Sequence, residues 1–467
     1  DRRRGACTGR RRIACRQSCL GALVCLAGLF VITEEGDMRK IPIAAAVAGA
    51  LTCVALPVQA DEGGMNVRFS GFGTVSGVTS DTNQVQYTPY PGAQPNGVEK
   101  SWSWDIDTLI GAQVNANLTD RLSGVVQVLS KRNAENTYQP QVEWAFVSYK
   151  ATPEIQLRAG RLGSPFYMVS DYRNVNYANP WVRPPADIYG QVAFSYHDGI
   201  DLLMQKPIGD SNLTVQLYAG KSENRLWAPY STFDLELNNR LGGNISFETG
   251  PYSVRYGYHQ GKLWGESDRV AGVSDALINT PSPRIPSAVW ALACPGCAES
   301  GEALSMNYKA ASFQGLGLSA DWGKYLLMAE YTMRRTETNA LADTNAWYVT
   351  GGTRLGKFTP YATYSILKQT SPTSDPGIAT RSSNPIIAGT VAALSSAVSG
   401  QVMADRGQKT FSLGVRYDVM NNMAIKAQLD QVRMTGPEHY GLSAVTLPDR
   451  EFDWKLNLFN LSVDFVF

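Results

Sequence analysis

Two cysteines stand close together in mid-chain, in Cys294-Pro295-Gly296-Cys297. A Cys-x-x-Cys pair can be a redox couple, half of a zinc site or a disulfide across a tight turn. Zinc needs two further ligands. Beyond residue 60 there is no other cysteine, and His197, His259 and His439 keep no zinc spacing. A structural disulfide between Cys294 and Cys297, closing the Pro-Gly turn in an oxidising setting, is the expectation. Hydrolytic chemistry finds less support. His197-Asp198 are adjacent in sequence, which does not make a catalytic pair, and no Gly-x-Ser-x-Gly segment supplies a nucleophile. The run Gly71-x-Gly73-x-x-x-Gly77 misses the dinucleotide spacing, and no helix follows to hold a phosphate. It reads as strand glycine beneath bulky neighbours. No catalytic residue, metal or cofactor is expected, and the chain does not read as an enzyme.

The remaining chemistry is electrostatic. Arg158, Arg255, Arg354, Arg416 and Lys426 fall on the polar faces of alternating segments, as do Asp107, Glu330, Asp418, Asp430 and Asp464. The stretch 163–191 adds Asp171, Arg173, Arg183 and Asp187, and Arg161 precedes it. Bases set against acids across a water-filled passage create a transverse field that orders dipolar solutes. The alternative is that these charges pair and stiffen a wall.

Such a passage needs a frame. Apolar and polar residues alternate in sixteen segments: 65–80, 101–117, 122–132, 140–150, 155–162, 192–206, 212–221, 236–248, 252–263, 308–321, 325–337, 345–355, 358–369, 408–418, 423–434 and 452–467. Gaps after even segments are short, as in Thr119-Asp120-Arg121, Gly250-Pro251 and Gly356-Lys357. Most gaps after odd segments are long: 81–100, 163–191, 222–235, 264–307, 370–407 and 435–451. Loop length sorted by parity is the mark of a membrane barrel with short turns on one side and long loops on the other. In the last segment Phe459, Leu461, Val463, Phe465 and Phe467 share one face, and Asn460, Ser462 and Asp464 the other. About sixteen strands enclose an aqueous channel, whereas about eight are filled by their own side chains. The fold class is therefore all-β, a transmembrane antiparallel barrel.

Length and composition agree. The chain has 467 residues, 44% hydrophobic and 10% aromatic, and a mean hydropathy of −0.19. The two best apolar runs, Cys19–Ile32 and Ile41–Pro57, both lie near the N-terminus, so the body cannot span a membrane as helices. Residues 1–37 are rich in Arg and Cys and read as an over-extended start. Residues 38–60 read as a signal peptide: Met38-Arg39-Lys40, an apolar stretch, then Val58-Gln59-Ala60 before Asp61. Residues 1–60 hold 9 of 42 Lys+Arg and 4 of 41 Asp+Glu, which leaves 33 bases and 37 acids in the mature part. A net charge near −4 gives no footprint for nucleic acid.

Over residues 61–467 the chain resembles the Gram-negative outer-membrane porins. The final Phe467 looks like the family's assembly signal, which implies the barrel-assembly machinery as a partner. Leu157-Arg158-Ala159-Gly160-Arg161-Leu162 is similar to the porin segment that leads into the third external loop. The resemblance implies that 163–191 folds into the lumen as the constriction. It implies a homotrimer embedded in outer-membrane lipid and lipopolysaccharide, passing small hydrophilic solutes and ions by passive diffusion. The stretch departs from the enterobacterial pattern in lacking an acidic run, so its position is better indicated than its charge pattern. A substrate-selective channel for carboxylates, sugars or phosphate is the second reading, and a plugged, adhesive barrel the third.

Overall fold

The computed structural model describes residues 60–61, 66–228, 231–282, 284–435 and 453–467. Apart from the two-residue strand Ala60–Asp61, sixteen strands form one sheet. They are β1 (Asn66–Ser80), β2 (Leu109–Asn117), β3 (Leu122–Lys131), β4 (Gln141–Lys150), β5 (Ile155–Gly163), β6 (Tyr196–Ile208), β7 (Ser211–Ala228) and β8 (Ser231–Thr249). Then follow β9 (Tyr252–Trp264), β10 (Lys309–Asp321), β11 (Tyr325–Thr336), β12 (Thr344–Thr353), β13 (Phe358–Gln369), β14 (Gln408–Met420), β15 (Met423–Met434) and β16 (Lys455–Val466). Each pairs antiparallel with the next, and β16 pairs with β1 from Leu458↔Ser80 to Val466↔Phe72. The sheet is thereby closed, which removes the unpaired edges a flat sheet would expose. The expected leader segments before Ala60 lie outside the described residues.

Alternation dictates the two faces. In β15, Lys426, Gln428 and Asp430 point inward and are buried, while Ile425 and Leu429 point outward and are exposed. Outward residues elsewhere follow suit: Ile200 is 62% exposed and Leu217 56%. A soluble barrel would bury these. A band of exposed aliphatic side chains fits lipid. Tyr252, Trp322, Tyr325 and Phe358 are also exposed and cluster by the short turns, where amphipathic rings favour a membrane interface. Among the described residues no helix is long and apolar enough to cross a membrane.

The structure departs from the periodicity in four places. Residues 101–108 are not a strand, because Asp107 is drawn inward to Arg183. The gap 222–235 is mostly strand: β7 and β8 rise together, held by Arg225–Asp234 at 2.8 Å. Strand β6 begins at Tyr196 and not at 192, so the preceding loop runs longer. The two longest loops hold helices.

Those helices are α2 (Asp268–Ile278), α3 (Ser287–Ala293), α4 (Cys297–Leu304) and α5 (Pro385–Ala397), after a single turn α1 (Ala186–Tyr189). The Ser267 hydroxyl accepts from Val270 N–H and caps α2. Asn384 caps α5, with Pro385 in its first turn, where a missing N–H costs nothing. Leu277, Trp290, Leu304, Ile387 and Val391 form a core of their own. A disulfide joins Cys294 and Cys297 between α3 and α4. The result is a small helical cap at the long-loop end.

Candidate functional site

The segment between β5 and β6 does not leave the barrel. It runs along the inner wall through two 3-10 turns, Ser170–Tyr172 and Asn176–Ala178, and then α1. Backbone carbonyls placed inside a barrel must find donors. Basic residues on four wall strands supply them. Arg255 of β9 donates to Pro165 O at 2.5 Å and also to Tyr167 O. Arg334 of β11 donates to Gln191 O at 2.6 Å. Arg416 of β14 reaches Asn179 O at 3.1 Å and also Tyr177 O. Lys426 of β15 donates to Asn176 O and Trp181 O at 2.6 and 2.7 Å.

Side chains complete the anchoring. The Trp181 indole N–H donates to the hydroxyls of Thr350 and Thr363 at 3.0 and 3.1 Å. Arg183 is nearly fully buried and pairs with Asp107 at 2.6 Å and Asp430 at 3.4 Å. Burial opposes its charge, but Asp107 beside it holds the guanidinium proton more tightly than usual. Asp187 is fully buried and accepts from Ser365 and Gln408. Burial pushes its carboxyl above the usual range, against those two donors. Glu330 accepts from Tyr348 O–H and Met168 N–H, both at 3.0 Å, and from Tyr189 O–H.

These contacts correct the expected field. Arg183, Asp187, Arg255, Arg416 and Lys426 do not stand free in water. They hold the loop, and Lys426 also pairs with Asp464 at 2.9 Å. Arg416 pairs in addition with Asp418 at 2.8 Å. Arg158 pairs with Asp201 on β6, with Nε 2.7 Å from the carboxylate. Arg354 lies one residue beyond β12, exposed at the short-turn end and paired with Asp321 at 2.6 Å. Arg161, near the loop end of β5, pairs with Asp198 at 2.8 Å and lies 3.9 Å over the Tyr196 ring. Asp171 is exposed on the loop.

The loop leans chiefly on β9–β16 and β1, with Asn174 reaching Glu143 of β4 at 3.4 Å, and the free space opens towards β2–β8. A cavity of about 580 Å³ lies there, bordered by Lys131, Glu143 and Arg161 of the wall and by Arg173 and Asn174 of the loop. Arg132 is paired with Asp105 at 2.7 Å. Arg225 is paired with Glu135 and Asp234. Among the described residues no carboxylate lies within ion-pair distance of Lys131 or Arg173. They are the two cations of the cavity without such a partner. Lys131 escaped the sequence reading because it ends its strand, and Arg334 because its partners are backbone carbonyls that no spacing reveals.

A family model for Gram-negative porins matches residues 44–437. The chain belongs to the Gram-negative porin family. It is a protein of the bacterial outer membrane. Solved structures with the same fold include OmpF of Salmonella typhi in complex with daunomycin, 13% identical, TM-score 0.51, covering 88% of this chain and 100% of that one. An anion-selective porin of Comamonas acidovorans is 11% identical with a TM-score of 0.50, covering 86% and 100%. The channel DcaP of Acinetobacter baumannii is 11% identical with a TM-score of 0.50, covering 88% and 100%. At such identities they speak for the porin fold alone. No curated protein is significantly similar to the chain in sequence.

Proposed function

We propose that this porin is a diffusion channel for small hydrophilic solutes and ions. Solutes pass between the 163–191 segment and the β2–β8 wall, where they meet Arg173 and Lys131. The observation that supports this is uneven anchoring: the segment is held chiefly by β9–β16 and β1 and leaves a polar cavity against the rest of the wall. Two cations without carboxylate partners bias the passage towards anions.

The working form is a homotrimer, with short turns in the periplasm and long loops outside, bordered by lipopolysaccharide. Residues 38–60 direct export and are removed before Asp61. Phe467 is read by the barrel-assembly machinery. N-terminal sequencing of protein from outer membranes tests the cleavage point; a chain that keeps residues 1–37 contradicts it.

A second reading is a selective channel for small anionic or polar nutrients, such as carboxylates, sugars or phosphate. The same two unpaired cations favour it. Single-channel recording of the refolded 61–467 chain separates the two. Current linear in solute concentration, with a reversal potential on the anion side, supports diffusion. Saturating current supports a binding track. A closed record overturns both.

A further inference from the structure

The barrel holds a second cavity of about 460 Å³ beneath the helical cap, and its chemistry differs from the first. The inner face of a porin wall is ordinarily polar, because it meets water. Here the upper inner positions of β8, β9 and β10 are Leu235, Leu237, Leu263 and Phe313. Phe166 and Phe194, from the two ends of the folded-in segment, complete an apolar wall. Arginines are the charged groups on the lining, with no carboxylate among them: Arg269 on α2, Arg334 on β11 and Arg406 before β14. Arg334 is nine-tenths buried. It donates to Gln191 O and Ala342 O, and no carboxylate of the described residues pairs with it.

We propose that this chamber binds an amphipathic monocarboxylate, an aryl or alkyl acid. The apolar body lies against Leu237 and Phe313, and the carboxylate takes the remaining N–H groups of Arg334. A buried guanidinium without a carboxylate is costly until an anion reaches it. Apolar walls around a void that size gain from a hydrocarbon body and not from water. A small inorganic anion satisfies the arginine but leaves the walls uncovered. A neutral aromatic does the reverse. Only a ligand with both parts matches the lining. This inference goes beyond the diffusion reading, since the chamber adjoins the polar cavity beside Arg173 across Gly190 and Val192 but has an apolar lining of its own.

The test is calorimetric titration of the refolded chain in lipid nanodiscs with cinnamate, acetate and cinnamamide. Cinnamate should bind at least tenfold more tightly than either control. Arg334→Gln should weaken cinnamate at least fivefold and leave cinnamamide unchanged. Leu237→Asn should weaken both aromatic probes, and it carries the test if the first variant fails to fold. Cinnamate binding no tighter than acetate in the parent protein overturns the proposal. So does unchanged affinity in folded variants. Potassium chloride conductance is recorded on the same preparations. A chain that conducts but ignores cinnamate sinks the chamber alone, and one that binds cinnamate without conducting sinks the channel alone.

Discussion

Gly71 and Phe467 close the barrel on each other: Gly71 N–H donates to Phe467 O at 2.8 Å, and Phe467 N–H donates back to Gly71 O at 2.9 Å. The Phe467 ring lies where a Cβ on residue 71 would stand, and Phe465 covers Gly73 in the same way. The glycines of β1 are therefore the notch into which the last strand's rings fit.

Gly71→Val should push the ring off the notch and lower the yield of heat-resistant folded barrel, read as the gel-shifted band. Phe467→Asp should impair surface assembly strongly. A charge near the bilayer edge costs only about 0–1 kcal/mol, so a severe defect would point to recognition and not to lipid. Normal surface levels of both variants would contradict the closure role.

Arg183→Met should destabilise the fold by about 3–5 kcal/mol, because it strands Asp107 and Asp430 as buried carboxylates. The measurement is the temperature at which the folded band disappears. The double variant Arg183→Met with Asp107→Leu should recover part of the loss. A single variant that unfolds at the parent's temperature would show that the pair does not hold the loop.

Arg173→Gln should shift the reversal potential towards cations and leave thermal stability alone, since Arg173 has no ion-pair partner among the described residues. Deleting part of 168–188 should raise single-channel conductance. If the deletion folds with conductance and selectivity unchanged, the passage lies elsewhere.

Replacing Cys294 and Cys297 together by Ser should loosen the cap and not the barrel. The bond closes a loop of only three residues' separation, so its entropic contribution is below about 3 kcal/mol. Limited chymotrypsin digestion should cut near the buried Trp290 faster in the variant, while the barrel's unfolding temperature stays put. Equal digestion rates would remove the disulfide from the cap's stability.

Much of this was legible in the residues themselves. A strand has a side-chain period of two, so lipid outside and polar groups inside imprint directly on β14, β15 and β16. Turn length follows from the up-and-down path, and a closed antiparallel sheet needs no other information to fix neighbour order. The glycine run of β1 was readable for the same reason: a small residue on a strand implies a large neighbour.

Periodicity could not say which inward charges meet water. Arg173 and Arg183 look equivalent ten residues apart, yet one borders the cavity and the other is buried between Asp107 and Asp430. Lys426 and Arg416 looked like pore charges and instead hold carbonyls of a loop more than two hundred residues away in sequence. Those partnerships depend on where 163–191 lies in space. The need to satisfy buried carbonyls and charges decides that position only after the barrel has closed, because only then do residues from β1, β9 and β15 face one another across the lumen.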